Sequence, residues 1–332
     1  MKKVLFIGGY GNISWWCTKF AIEKGFDVYL LNRDLQSGTR RDIPKEAKII
    51  KADYRNQEET KTVLKDYEFD VVCDFICYNK EQAENAVEVF REKTKQYIVL
   101  SSGANYDRTI AKIPLTEDSI QRGTFPYVKN KIEMETMFLK EYKRNKFPIT
   151  IVRPGQTYDT LVPDCVGNAD FTNIQRMIDR KPIIILGEGT TPWALIHSSD
   201  FAQLYIPLIG NKKAIGNSYH IAGDEILTWN QIVDLTAHAL SVKAKKVYMT
   251  SEFIKKFELE LAEGLKSHKI YADIYDNSKI KELNPNYKQK ILFKDGIKMS
   301  IDWLLENPKH QRINLELDKK IDKLICKLNS IQ

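Results

Sequence analysis

The chain opens on Val4-Leu5-Phe6-Ile7, followed at once by Gly8-Gly9-Tyr10-Gly11-Asn12-Ile13-Ser14, and few folds accept that order of residues. A short, wholly apolar run is the mark of a parallel strand covered on both faces. The glycines predict a tight turn, and residues 15–24, closed by Gly25, predict a helix. Strand, glycine turn and helix in this order are the setting in which a glycine cluster binds a dinucleotide. The glycines let backbone approach a pyrophosphate, and the helix start supplies unpaired N–H groups and the positive end of its dipole. The spacing is G-x-x-G-x-x-S, so Ser14 takes the third position, where a small residue still permits close helix–strand packing.

The alternation continues. Residues 27–31, 48–52, 69–76, 97–100 and 149–152 read as strands, and 58–65, 83–92 and the stretch around Tyr127 as helices. Such repetition with short joins predicts an α/β fold, a doubly wound parallel sheet of the Rossmann type with right-handed crossovers. Beyond residue 160 short strands and helices interleave without repeating the first half, which predicts a smaller C-terminal substrate lobe. The expected division is a nucleotide-binding domain over 1–160, a lobe over 161–308 partly interleaved with it, and a helix over 309–332. On that helix Leu317, Ile321, Leu324, Ile325, Leu328 and Ile331 share one face, either packed on its own domain or forming a homodimer contact.

Composition excludes several classes. Net charge is 51 − 44 = +7, but bases and acids are intermixed, which argues against a nucleic-acid groove. No uncharged apolar run approaches the roughly 18 residues of a membrane span. Lys2-Lys3 leads into too short an apolar run for a signal peptide. The five cysteines (Cys17, Cys73, Cys77, Cys165, Cys326) have no framework or zinc spacing, so reduced thiols, a cytoplasmic location and no metal are expected.

Chemistry concentrates in Thr124-Phe-Pro-Tyr127-Val-Lys-Asn-Lys131, read with Ser101-Ser102 at the end of the run 97–100. Tyr127 and Lys131 are four residues apart and share a helix face. An ammonium beside a phenol favours the phenolate, so Lys131 is expected to lower the Tyr127 pKa from about 10. Such a phenol exchanges a proton with a carbonyl or hydroxyl oxygen. A lone Y-x-x-x-K is equally a surface pair; its place after a strand ending in serines and a nucleotide-binding start favours catalysis by Ser102, Tyr127 and Lys131. At the second strand's end stand Asn32-Arg33, with Arg40-Arg41 in the loop beyond. An arginine there suits a ribose 2′-phosphate, so NADP is favoured over NAD. Asp53-Tyr54 ends the third strand, where a carboxylate would meet an adenine amino group.

Together Gly8-Gly-x-Gly11, Asp53, Ser101-Ser102, Tyr127-x-x-x-Lys131, Arg153-Pro154 and Leu195-Ile-His197-x-x-Asp200 resemble the extended short-chain dehydrogenase/reductases, in the epimerase/dehydratase branch that works on nucleotide sugars. The resemblance spans about residues 1–308. It implies that Tyr127 exchanges the proton while the nicotinamide exchanges hydride, that Lys131 holds the nicotinamide ribose, and that Ser102 binds the substrate oxygen. It further implies that Gly8, Gly11, Asn12 and Ile13 carry the pyrophosphate, and that Phe75 and Ile76 line the cofactor channel, with Pro154 among the cofactor contacts. Two departures matter. Ser102-Gly103-Ala104 stands where sugar 4,6-dehydratases carry Thr-Asp-Glu, so elimination of water is not expected. Trp193 occupies the place of a diphosphate-clasping arginine and is expected to stack on a substrate ring. The expected activity is that of a reductase or epimerase on a nucleotide-linked sugar, with a small-molecule substrate and neither nucleic acid nor membrane as partner. The alternatives are a non-catalytic relative binding RNA or a protein, or a reductase of a non-sugar ketone.

Overall fold

The computed structural model describes residues 1–33, 41–167, 169–267 and 269–331. Its strands are β1 (Lys3–Ile7), β2 (Asp27–Asn32), β3 (Lys48–Lys51), β4 (Val71–Asp74), β5 (Tyr97–Leu100), β6 (Ile149–Pro154), β7 (Gln156–Tyr158), β8 (Pro182–Leu186), β9 (Pro192–His197), β10 (Ser218–Ile221), β11 (Ile226–Thr228) and β12 (Lys245–Met249). The helices are α1 (Ser14–Glu23), α2 (Gln57–Val63), α3 (Lys80–Phe90), α4 (Pro126–Asn145), α5 (Thr172–Ile178), α6 (Ser198–Tyr205), α7 (Trp229–Ala239), α8 (Ser251–Phe257), α9 (Leu259–Ser267), α10 (Ser278–Lys281), α11 (Phe293–Glu306) and α12 (Leu315–Asn329).

Seven strands form one sheet in the order β10-β6-β5-β4-β1-β2-β3, and every pairing in it is parallel. Helices cover both faces. One packed layer gathers Val4, Phe6, Cys17 and Phe201 under α1 and α6, and the other gathers Leu5, Ile7, Ala86 and Phe138 under α3 and α4. This is the doubly wound Rossmann-type sheet that the alternation of apolar runs implies. The strand order reverses at β1 and β4, and the carboxyl ends of the strands there form the crevice where such sheets bind ligands.

Two local differences have clear causes. The run 69–76 yields a shorter β4, because the buried Asp74 carboxylate accepts the N–H groups of Ile76 and Cys77 and turns the chain out of the strand. The seventh strand, β10, returns from the C-terminal half to pair with β6. That half builds its own core around β8, β9, α7 and α11. Here α12 buries Leu317, Ile321, Leu324 and Ile325 against its own chain, and buried Arg176 of α5 reaches Asp318 and Asp322 on it. Ile331 stays 65% exposed, beyond the packed face.

Candidate active site

α4 carries the site because its sequence makes one face of a long helix apolar. Val128, Lys131, Met134, Glu135 and Phe138 are buried at helical spacing, and Pro126 at the first turn starts the helix. Two of these buried positions are charged, which is costly unless each charge is satisfied. Lys131 donates from Nζ to the carbonyls of Leu100 and Cys77 at 2.8 and 2.7 Å. Its ammonium also lies 4.6 Å from the centre of the Tyr78 ring. Burial pulls the Lys131 pKa down to about 8, while Cys77, Asp74 and Glu135 act in the opposite direction.

Tyr127, one turn earlier, is 40% exposed. Desolvation raises its phenol pKa, the Ser102 hydroxyl beside it lowers it, and Tyr78 raises it; the net direction is upward. This corrects the expectation that Lys131 would lower it. The lysine is turned to the ends of β4 and β5, its charge held by two carbonyls and an aromatic face. Ser102 follows β5, and its Oγ accepts the N–H of Ala104 at 3.1 Å, which fixes the turn. The structure thus brings Ser102 to Tyr127, with Lys131 one helical turn on and bonded to the carbonyl of Leu100, two residues before Ser102.

A cleft of about 250 Å³ opens where β1, β2, β3 and β4 end, lined among others by Gly8, Gly11, Asn32, Arg33, Asp53, Tyr54, Ile76 and Tyr78. Gly8 has φ of +73°, and a Cβ there would stand 2.5 Å from Ile76 Cγ2, so only glycine keeps this floor open. Asn32 is 6% exposed, and its Nδ2 lacks a partner among the described residues. A cradle that a Cβ would fill and a buried donor awaiting an acceptor fit the adenosine end of a dinucleotide. Arg33 and Asp53 form an exposed pair at 3.8 Å, and Asp53 Oδ1 also accepts the Arg55 N–H at 3.0 Å.

Other residues expected at the cofactor bond or pack within the protein. Ser14 Oγ donates to the Gly8 carbonyl at 2.6 Å and accepts the Gly11 N–H at 2.9 Å, so it braces the glycine turn. The Asn12 side chain accepts from Thr160 and Leu161 at 3.2 and 3.0 Å and ties the turn to the second half of the chain. Ile13 packs in the apolar layer under α1. The Tyr54 hydroxyl points inward to Tyr97 at 2.8 Å. Pro154 ends β6, with its carbonyl 2.9 Å from where a Cβ of Gly103 would lie. Phe75 does not line the channel: it is 7% exposed, with its ring against Phe6 and Tyr205, because the turn at Asp74 directs it into the sheet layer. Trp193 is fully buried, its ring 4.6 Å from that of Trp229, and cannot stack on a substrate. The alternation of β9 points this residue into the core of the C-terminal half. Arg41 is not free for a phosphate, since Nε donates to Asp159 at 3.1 Å and the guanidinium packs on Trp15, Trp16 and Trp303. Arg40 lies outside the described residues.

A second cleft, about 670 Å³, opens beside the start of α4 and is lined by Arg108, Arg122, Phe125, Lys255 and Tyr271, among others, with Asp107 as its acid. Tyr78, which lines the first cleft, stacks on Lys131, and Phe125 and Pro126, which line the second, adjoin Tyr127. The trio therefore stands where the two clefts approach. Tyr78 and Asp74 escaped the sequence reading. Asp74, fully buried, accepts from the Tyr97 hydroxyl at 2.6 Å, and its pKa is raised by burial.

The parallel sheet with its glycine turn is a Rossmann-type fold, and Ser102, Tyr127 and Lys131 gather at its carboxyl edge. A model of the NAD dependent epimerase/dehydratase family matches residues 4–222, and the chain belongs to that family. It is 26% identical over 249 residues to a chloroplast stem-loop binding protein of 41 kDa from Arabidopsis thaliana, covering 72% of this chain and 63% of that protein. It is 21% identical over 290 residues to a 2′-dehydrokanamycin reductase from Streptomyces kanamyceticus, covering 87% and 80%. Among solved structures, an epimerase of Methanothermobacter thermautotrophicus superposes with a TM-score of 0.76 at 18% identity, covering 93% of each chain. The UDP-glucose 4-epimerase of Thermotoga maritima, solved with UDP-glucose, gives 0.74 at 18% identity, covering 92% of this chain and 99% of that one. Likeness at this identity establishes the shared fold.

Proposed function

We propose that the protein is a nicotinamide-dependent reductase or epimerase acting on a hydroxyl or keto group of a nucleotide-linked sugar. The observation that supports this reading is the meeting of Ser102 and Tyr127, one helical turn from Lys131, between a cleft suited to a dinucleotide and a larger second cleft. A bound nicotinamide supplies or removes the hydride. Tyr127, with its pKa raised, is protonated at neutral pH and enters as the proton donor that reduction of a ketone requires. Ser102 holds the same substrate oxygen. Lys131 anchors the cofactor ribose through its buried ammonium.

Buried Asp273 neutralises Arg108 and Asp107 pairs with Arg122, which leaves Lys255 on the wall of this cleft to favour an anionic substrate such as a diphosphate-linked sugar over a cationic amino sugar. Gly103 and Ala104 place no carboxylate after Ser102, which favours 4-keto reduction or 4-epimerisation over 4,6-dehydration. Exposed Arg33 at the cleft rim favours NADP. The enzyme is taken to work in the cytoplasm. Mass spectrometry of the denatured protein tests the reading: a released nicotinamide dinucleotide is expected, followed by turnover on 4-keto nucleotide sugars or simple ketones with one reduced cofactor. No nicotinamide binding at saturating cofactor would contradict it.

A further inference from the structure

Glu135 is the second charged residue on the buried face of α4, and the chemistry proposed above does not use it. It is 1% exposed. Arg153, at the end of β6 and 4% exposed, donates from Nε to both its oxygens at 3.0 and 3.1 Å and from Nη2 to one of them at 2.6 Å. Gln121 Nε2 donates to it at 3.0 Å. Asn105 Nδ2 donates to Glu135 at 3.0 Å and also to Ser101 Oγ at 3.2 Å.

These bonds fall on both sides of Ser102. Lys131 holds the carbonyl of Leu100, just before it. Through Asn105, Glu135 holds the Ser101 hydroxyl and the end of the turn 103–105 that follows. Tyr127, Lys131 and Glu135 stand at i, i+4 and i+8 of one helix face, so the helix that carries the phenol also grips the backbone around the serine. We propose that Glu135 and Asn105 are positioning residues that fix the Ser102 hydroxyl against the Tyr127 phenol without touching substrate. The proposal rests on the reading of Ser102 and Tyr127 as the proton-transfer pair.

Asn105 is the informative position. Replacing it leaves Glu135 paired with Arg153 and Gln121, so no buried charge is stranded. Without its amide the Ser102 turn loses its tether to α4, and the hydroxyl no longer supports the phenol oxygen.

The test uses the full chain labelled with ¹³C at tyrosine Cζ, the Tyr127 resonance being assigned with Tyr127→Phe. Its chemical shift reports the hydrogen bond at the phenol oxygen, and needs neither cofactor nor substrate. Asn105→Ala is expected to move the Tyr127 resonance toward its position in Ser102→Ala, and adding Asn105→Ala to Ser102→Ala is expected to move it no further. Ser101→Ala, which removes the other end of the tether, is expected to move it the same way and serves if Asn105→Ala does not fold. A Tyr127 resonance unchanged by Asn105→Ala or Ser101→Ala, or shifts that simply add to that of Ser102→Ala, would overturn the proposal. Should these shifts appear in a protein that binds no nicotinamide, the positioning role stands and the proposed function alone fails.

Discussion

Arg33 Nη1 lies 3.8 Å from Asp53 Oδ2, so the residue expected to read a ribose phosphate and the one expected to meet the adenine are partners at the rim of one cleft. Both are well exposed, and such pairs contribute about 0–1 kcal/mol, so a ligand can rearrange them cheaply. NADPH is expected to bind more tightly than NADH, and Arg33→Ala should narrow the ratio by roughly tenfold or more, the value of a charge-assisted contact. Fluorescence titrations giving equal affinities, or a preference for NADH, would remove the assignment to NADP.

Lys131 gives the protein a pH signature. Its pKa near 8 lies below the ordinary 10.5, so between those values the folded chain binds fewer protons than the unfolded one. The stability contribution of this group therefore rises with pH across that window, and Lys131→Met should flatten the rise. Cofactor affinity should move the other way in wild type, weakening as pH climbs through about 8 and the ammonium is lost. Calorimetric titration across that range checks it; an affinity that is flat with pH would show that the charge of Lys131 does not serve the cofactor.

Trp193 is expected to matter for stability alone. Trp193→Ala should cost about 3–5 kcal/mol, as large-to-small changes in a packed core do, read as a lowered denaturation midpoint. Cofactor affinity of the folded fraction should be unchanged. A fully stable Trp193→Ala protein with impaired substrate binding would restore the stacking role that burial against Trp229 denies it.

Likeness to a stem-loop binding protein invites a test with RNA. The excess of +7 is spread through a chain rich in both signs, so only salt-sensitive attraction is expected. Sub-micromolar affinity for stem-loop RNA that survives high salt would favour a binding protein over an enzyme.

The sheet was legible because period and punctuation carry it: apolar runs of four, glycines after β1, and short joins dictate parallel alternation. Tyr127 and Lys131 were legible because helix spacing alone puts them on one face. What escaped depends on contacts across the fold. Nothing local shows that Lys131 turns to the carbonyls of Leu100 and Cys77 and not to the phenol. The turn that withdraws Phe75 depends on Asp74 bonding backbone two and three residues ahead. Trp193 was misplaced because its partner, Trp229, is distant in sequence. Glu135 left a signal that could have been read: it falls four residues after Lys131, on the apolar stripe of α4, where a carboxylate demands a partner.

The central claim is that Tyr127 moves the proton while Ser102 and Lys131 hold its surroundings, and Tyr127→Phe tests it most directly. This change deletes one hydroxyl from a side chain that is 40% exposed, so the fold and cofactor affinity should survive. On the substrate identified by screening with both reduced cofactors, turnover should fall roughly 10²–10⁴-fold, the usual contribution of general acid–base catalysis. A Tyr127→Phe protein that turns over that substrate at the wild-type rate would contradict the claim and leave the tyrosine as helix surface.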